Sequence, residues 1–216
     1  MTFTSTFKRL DTVILPEFAG VRIQLMPVQM RDVNSLPFGL RDWDRLFHRL
    51  CSFVPGVNGI AYLTIDQRWT LAGETHRRPG LHVDGMGSWG GGGGWGGNGM
   101  ITVSSHSGCV AYNREFTGEP RRGVDCGDPD EGDCGHLWGQ CEGTGTMLEP
   151  NVAYLCNPMC VHESVPVEQD CFRTFVRLSL PNDGVWPRNC TPNPRGIVPE
   201  HIGEARRVVG KYSYAE

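Results

Sequence analysis

Apolar and polar residues alternate along this chain in short runs separated by turns, which predicts strands throughout and a single helix. V-I-L and V-R-I-Q-L-M, within residues 12–28, read as two strands joined through P-E-F-A-G. Across residues 40–53, Leu40, Trp43, Leu46, Phe47 and Leu50 recur at helical spacing with Arg and Asp between them, so an amphipathic helix is expected to cover one face of a sheet. In I-A-Y-L-T-I-D the alternate residues Tyr62, Thr64 and Asp66 share a strand face. G-M-I-T-V-S-S and C-V-A-Y-N-R-E-F are expected to form one hairpin turning around 106–108. V-A-Y-L-C and residues 172–180 follow as strands. In the last of these, Phe172, Thr174, Val176 and Leu178 point one way and Arg173, Phe175, Arg177 and Ser179 the other. Two arginines on one face of an apolar strand mean that this face either meets water or offers its guanidinium groups to anions.

Composition narrows the class. Twenty-nine glycines and fifteen prolines in 216 residues fit an all-β barrel or sandwich of one domain, spanning 1–216. Its core is expected over about 60–180, with a glycine-rich loop at 87–99, a cysteine-rich insert at 117–145 and an extended, proline-rich C-terminal arm. A net charge of −4 argues against nucleic acid as the partner and leaves a small molecule as the expected substrate. Lys8, Arg9 and Asp11 interrupt the N-terminus where a signal peptide would need an apolar run, and no segment approaches membrane-spanning length. A reducing, cytoplasmic location without membrane attachment is therefore expected, where the nine cysteines serve as buried thiols or metal ligands.

The chemistry concentrates in T-H-R-R-P-G-L-H-V-D-G-M-G-S-W, which starts at Thr75. His82 and Asp84 are two residues apart, so on extended backbone both side chains leave the same face and can grip one ion. His162, in V-H-E-S-V-P, supplies a third ligand from a distant strand, and Arg173 follows eleven residues later. This set, H-V-D, distal histidine and arginine, resembles the iron(II)- and 2-oxoglutarate-dependent oxygenase superfamily over residues from about 60 to 180. The histidine-to-arginine spacing is similar to that of its phytanoyl-CoA hydroxylase and taurine dioxygenase branches.

The resemblance implies a double-stranded β-helix, or jelly roll, with iron(II) on His82, Asp84 and His162. It implies that Arg173 binds the distal carboxylate of the co-substrate 2-oxoglutarate. Arg177 and Ser179, in R-L-S, look like the R-x-S motif of the isopenicillin N synthase branch, so Arg177 is the second choice for that carboxylate or a substrate contact. With dioxygen as the other co-substrate, the implied reaction oxidises an unactivated C–H of a small molecule and releases succinate and CO2. Because Asp84 is present, hydroxylation, desaturation or ring closure is expected rather than halogenation. Two other readings share these residues: a cupin-like metalloprotein that does not use 2-oxoglutarate, and a noncatalytic jelly-roll binding module.

Beside this centre, Trp89 and Trp95 are the large side chains of the glycine run, which is either a lid that lays indole over substrate or a linker. Arg77, with His76 and Arg78, either lines the entrance and favours an anionic substrate or is simply solvated, as charges beside a loop more often are. Cys126, Cys134, His136 and Cys141 hold the ligand types of a Cys3His zinc site, but their spacing lacks tight C-x2-C pairs. Cys156 and Cys160 read as buried thiols.

Overall fold

Strand β11 (Cys171–Ser179) and its partner β4 (Ile60–Thr70) pair antiparallel from Cys171↔Thr70 to Ser179↔Tyr62, and the rest of the structure is layered on the two faces they define. The structure is a computed structural model describing residues 1–32, 34–84, 99–121, 132–181, 186–187, 191–199 and 201–203. It is mostly β-sheet, with few helices. Before β4 come β1 (Thr2–Ser5), β2 (Phe7–Thr12), β3 (Arg22–Gln29) and helix α1 (Asp44–Ser52). Between β4 and β11 lie β5 (Met100–Ser104), β6 (Cys109–Ala111), β7 (Arg114–Thr117), β8 (Thr146–Met147), β9 (Val152–Cys156) and β10 (His162–Ser164). Two short strands, β12 (Trp186–Pro187) and β13 (Ile202–Gly203), pair in parallel after β11.

The large sheet has six strands in the order β2-β9-β5-β11-β4-β3. One face carries Leu63, Ile65, Ile101, Val103, Val176 and Leu178, all buried against Leu40, Trp43, Leu46, Phe47 and Leu50 of the helical segment. Each such side chain contributes roughly 1.5–3 kcal/mol when fully buried, so this layer anchors β11 and fixes which of its residues face the other way. The expected helix is divided. Phe38–Trp43 is a 3-10 helix, with Leu40 outside helical geometry at φ −115°, and the α-helix starts only at Asp44. Pro37 supplies no N–H and Gly39 adds backbone entropy, while Asp44 suits an α-helix N-terminus.

The second sheet has the order β10-β6-β8. His82 extends it through backbone bridges to His162 on one side and Asp133 on the other, and Pro79 bridges Ser164. The chain therefore alternates between layers: β4 large, 79–82 small, β5 large, β6 and β8 small, β9 large, β10 small, β11 large.

Two strand expectations are corrected. β5 and β6 are not a hairpin, because β5 has both edges occupied by β9 and β11 and β6 pairs with β10 and β8. Residues 105–108 instead carry the chain across from one sheet to the other. Residues 13–15 form no strand; Val13 donates to the Asn151 carbonyl at 2.8 Å, and the first strands are the more polar β1 and β2. β2 lies at the edge of the large sheet, where charged residues such as Lys8 and Arg9 face solvent.

The described part of the C-terminal arm runs beside β3. Thr191 donates to Gln24 O at 2.9 Å, and Asn193 Nδ2 donates to Pro27 O and Ser35 O at 2.7 and 2.9 Å. All cysteines among the described residues are free thiols. No helix among them is long and apolar enough to cross a membrane.

Candidate metal centre

His82 and His162 are direct cross-strand partners, each N–H donating to the other's carbonyl at 2.9 Å. That pairing puts both imidazoles on one face, with ring centroids 4.4 Å apart. Asp84, two residues beyond His82, returns to the same face. One ligand atom from each of the three lies within 4.8 Å of the others, so this largely buried group could hold a metal ion. Of the His, Cys, Asp and Glu residues described, no other trio meets that geometry.

The backbone prepares the imidazoles for coordination. His82 Nδ1 lies 2.7 Å from Gly80 O and His162 Nδ1 lies 3.0 Å from Cys160 O. A carbonyl only accepts, so each Nδ1 carries a proton and Nε2 is the atom that each ring could offer an ion. Burial, reinforced by the neighbouring His162, pushes His82 down to about 3, against the pull of Asp84, so the ring is neutral at ordinary pH. Burial alone would raise the Asp84 carboxyl, but Arg177, then His162 and His82, outweigh it and hold the group well below the usual carboxylate range. Two imidazole nitrogens and one carboxylate oxygen on one side of an ion would leave its other side open.

Arg177 Nη1 donates to Asp84 Oδ2 at 2.6 Å, so this guanidinium orients the carboxylate. Its Nε is buried without a partner. Ser179, on the same face of β11, is 1% exposed and its Oγ also has no partner.

Arg173 is the largest fully buried side chain, 1% exposed. Its Nε donates to Ser104 Oγ at 3.0 Å, its Nη1 has no partner, and no carboxylate among the described residues pairs with it. Burial lowers its affinity for its proton from the ordinary arginine value, and the charges of Arg77 and Arg68 act in the same direction. A buried cation with an orphaned donor fits an anion.

Arg77 reaches the same region. Its Nη1 donates to Asp66 Oδ2 at 3.0 Å, and its guanidinium carbon lies 4.9 Å from the centroid of Phe175, which sits between Arg173 and Arg177 on the site face of β11. Asp66, 1% exposed, is also approached by Arg68 at 3.2 Å and by Arg22 and His76 at 3.4 Å. Burial would raise this carboxyl; the His76 contact and the Arg77 charge outweigh it and hold it well below the usual range.

Trp89, Trp95 and Cys126 lie outside the described residues. The rest of the candidate zinc set does not assemble: Cys134 and Cys141 are buried in a cluster with Leu81, Val83, Phe116 and Leu137, while His136 is exposed. Burial pushes these thiols up to about 12 and about 11, and they act as core residues. Cys156 and Cys160 are buried thiols too.

Sequence reasoning missed Ser104, Gly108 and Phe175 as parts of the site, and took Asp66 only as a face-sharing strand residue. The signal for Asp66 was its place among the alternating residues Tyr62, Thr64, Asp66 and Arg68, opposite the apolar Ala61, Leu63 and Ile65. Comparison of the chain with protein-family models, with curated proteins and with solved structures finds no match.

Proposed function

We propose that this protein is an iron(II)- and 2-oxoglutarate-dependent oxygenase that oxidises an unactivated C–H bond of a small molecule. The observation that carries the reading is the pairing of a His-Asp-His group with a buried, carboxylate-free arginine on β11 of the other sheet, the strand whose Arg177 contacts Asp84. His82, Asp84 and His162 would hold iron(II), the ion suited to two histidines and one carboxylate with open positions. Arg173 would take the distal carboxylate of 2-oxoglutarate through its free Nη1, with Ser104 fixing Nε. Arg177 would keep Asp84 in its ligating orientation. When bound, the iron and the 2-oxo acid supply oxidative decarboxylation by dioxygen, yielding succinate and CO2, coupled to oxidation of the substrate.

The alternation of segments between a six-stranded and a three-stranded sheet supports a double-stranded β-helix, the architecture this chemistry resembles. The free thiols suit a reducing, cytoplasmic setting. A metalloprotein that ignores 2-oxoglutarate, or a noncatalytic module, would leave the cost of burying Arg173 without a return.

Anaerobic titration of the iron(II) protein with 2-oxoglutarate tests the proposal. The expected result is a weak visible charge-transfer band that is absent after His82→Ala. No band in the native protein, or an undiminished one in the variant, overturns it.

A further inference from the structure

Asp66 is shared by three arginines. Arg22, Arg68 and Arg77 all lie within 3.4 Å of its oxygens. Arg77 is the one of these that leans over the site, stacked on Phe175. Only its Nη1 is engaged, with Asp66; its Nε and Nη2 have no partner among the described residues, and its side chain is 23% exposed. Alternation along β11 sets Phe175 midway between Arg173 and Arg177, whose Cα atoms are about 13 Å apart at ordinary strand rise. The Arg77 charge is felt at both ends of that interval, by Asp84 and by Arg173.

Charge balance indicates what this guanidinium is for. On the reading proposed above, a divalent ion and the dianion 2-oxoglutarate cancel each other, and Asp84 is matched by Arg177. Arg77 shares Asp66 with Arg22 and Arg68. Of the two other guanidinium groups at the site face, Arg173 then meets the co-substrate's distal carboxylate. Arg77 retains a planar pair of donors in a partly desolvated place, which suits an oxyanion held side-on.

We propose that the primary substrate carries a carboxylate or phosphate group and that Arg77 anchors it, with Asp66 and Phe175 holding the guanidinium in place. This rests on the oxygenase reading for the substrate's role, though the anion site itself does not. Arg77 lies five residues before the ligand His82, on the segment that also carries Asp84, so an anchored substrate would be registered directly against the metal.

The test uses inorganic phosphate and acetate as probes, followed calorimetrically with the full chain loaded with iron(II) and 2-oxoglutarate under anaerobic conditions. At least one probe should bind without displacing 2-oxoglutarate, and Arg77→Gln should weaken it tenfold or more while the charge-transfer band persists. Preference between the probes distinguishes a phosphate from a carboxylate substrate. Arg77→Lys, which keeps the charge but loses the fork, should fall between, and it serves as the second variant if Arg77→Gln folds poorly. Should the native protein give no charge-transfer band, the same titrations on metal-free protein, with Arg173→Gln to remove the other anion candidate, still decide the matter. Binding unchanged in the Arg77 variants, abolished by Arg173→Gln instead, competitive with 2-oxoglutarate, or undetectable for both probes overturns the proposal.

Discussion

Replacing Arg173 with methionine should make the ligand-free protein more stable and at the same time destroy its affinity for 2-oxoglutarate. The side chain is 1% exposed, its charge has no carboxylate partner among the described residues, and one of its donors is unsatisfied. Exchanging buried ions for apolar residues of similar volume stabilises proteins by about 1–4 kcal/mol in favourable cases. Against this stands the hydrogen bond to Ser104 Oγ, worth about 1 kcal/mol. A net gain of about 0–3 kcal/mol follows, which for a chain of this size raises the thermal midpoint by up to roughly 12 °C. The second half of the experiment measures ligand stabilisation. At a hundred times its Kd, a co-substrate adds about 2.7 kcal/mol to the native iron-loaded protein, and the variant should lose this shift. Differential scanning calorimetry with and without 2-oxoglutarate reads both effects. A destabilised Arg173→Met protein, or one that 2-oxoglutarate still stabilises, would refute the argument that this cation is buried for a ligand.

Gly108→Ala should act on the same guanidinium from the backbone side. A Cβ at this position, where φ is +154°, would lie 2.8 Å from Arg173 Cζ and 2.9 Å from Nη2, so 2-oxoglutarate affinity should fall at least tenfold with iron binding unchanged, as read by the charge-transfer titration. Arg177→Leu removes the partner of Asp84 and should cost the metal-free protein about 3 kcal/mol; zinc should recover part of this, giving a larger metal-induced rise in thermal midpoint than in the native chain. Equal rises would mean that Arg177 does not restrain the carboxylate. Acid should weaken the metal-free fold. Burial pushes His76 down to about 4, so the unfolded chain takes up this proton first: its stabilising contribution is complete above about pH 6.5 and is lost as the pH falls towards 4, a change on the order of 3 kcal/mol. Urea midpoints at pH 7 and pH 5 measure it, and a slope that His76→Gln leaves unaltered contradicts the assignment.

The parts of this molecule that were legible in the sequence are those where a short-range pattern coincides with a long-range constraint. The alternation of residues 172–180 has a period of two, and burial of Val176 and Leu178 under the helix forces Arg173 and Arg177 to the opposite face, as the sequence predicts. The spacing of His82 and Asp84 works in the same way, because extended backbone returns every second residue to one side. Pairing partners were not legible. G-M-I-T-V-S-S and C-V-A-Y-N-R-E-F are adjacent and both strand-like, but whether they pair depends on β9 and β11 having taken both edges of β5, which no local signal records. The polar strand F-K-R-L-D-T escaped notice because an edge strand need not alternate cleanly. The Asp66 cluster draws on residues 22, 66, 68, 76 and 77, and its members meet only once β3, β4 and the segment after β4 are brought together. The cysteine-rich insert was open in the sequence for a related reason: ligand chemistry can be read from residue types, whereas the burial of Cys134 and Cys141 beside Leu137 and Phe116, and the exposure of His136, depend on packing.

The reciprocal amide pairing of His82 with His162 joins two ligands eighty residues apart in the chain. An ion held between their rings would act as a clasp on that long loop, because separating the two backbones would also mean releasing the metal. Slow deuterium uptake at these two amides, retarded further by a divalent ion and restored by a chelator, would register how firmly the two layers are closed.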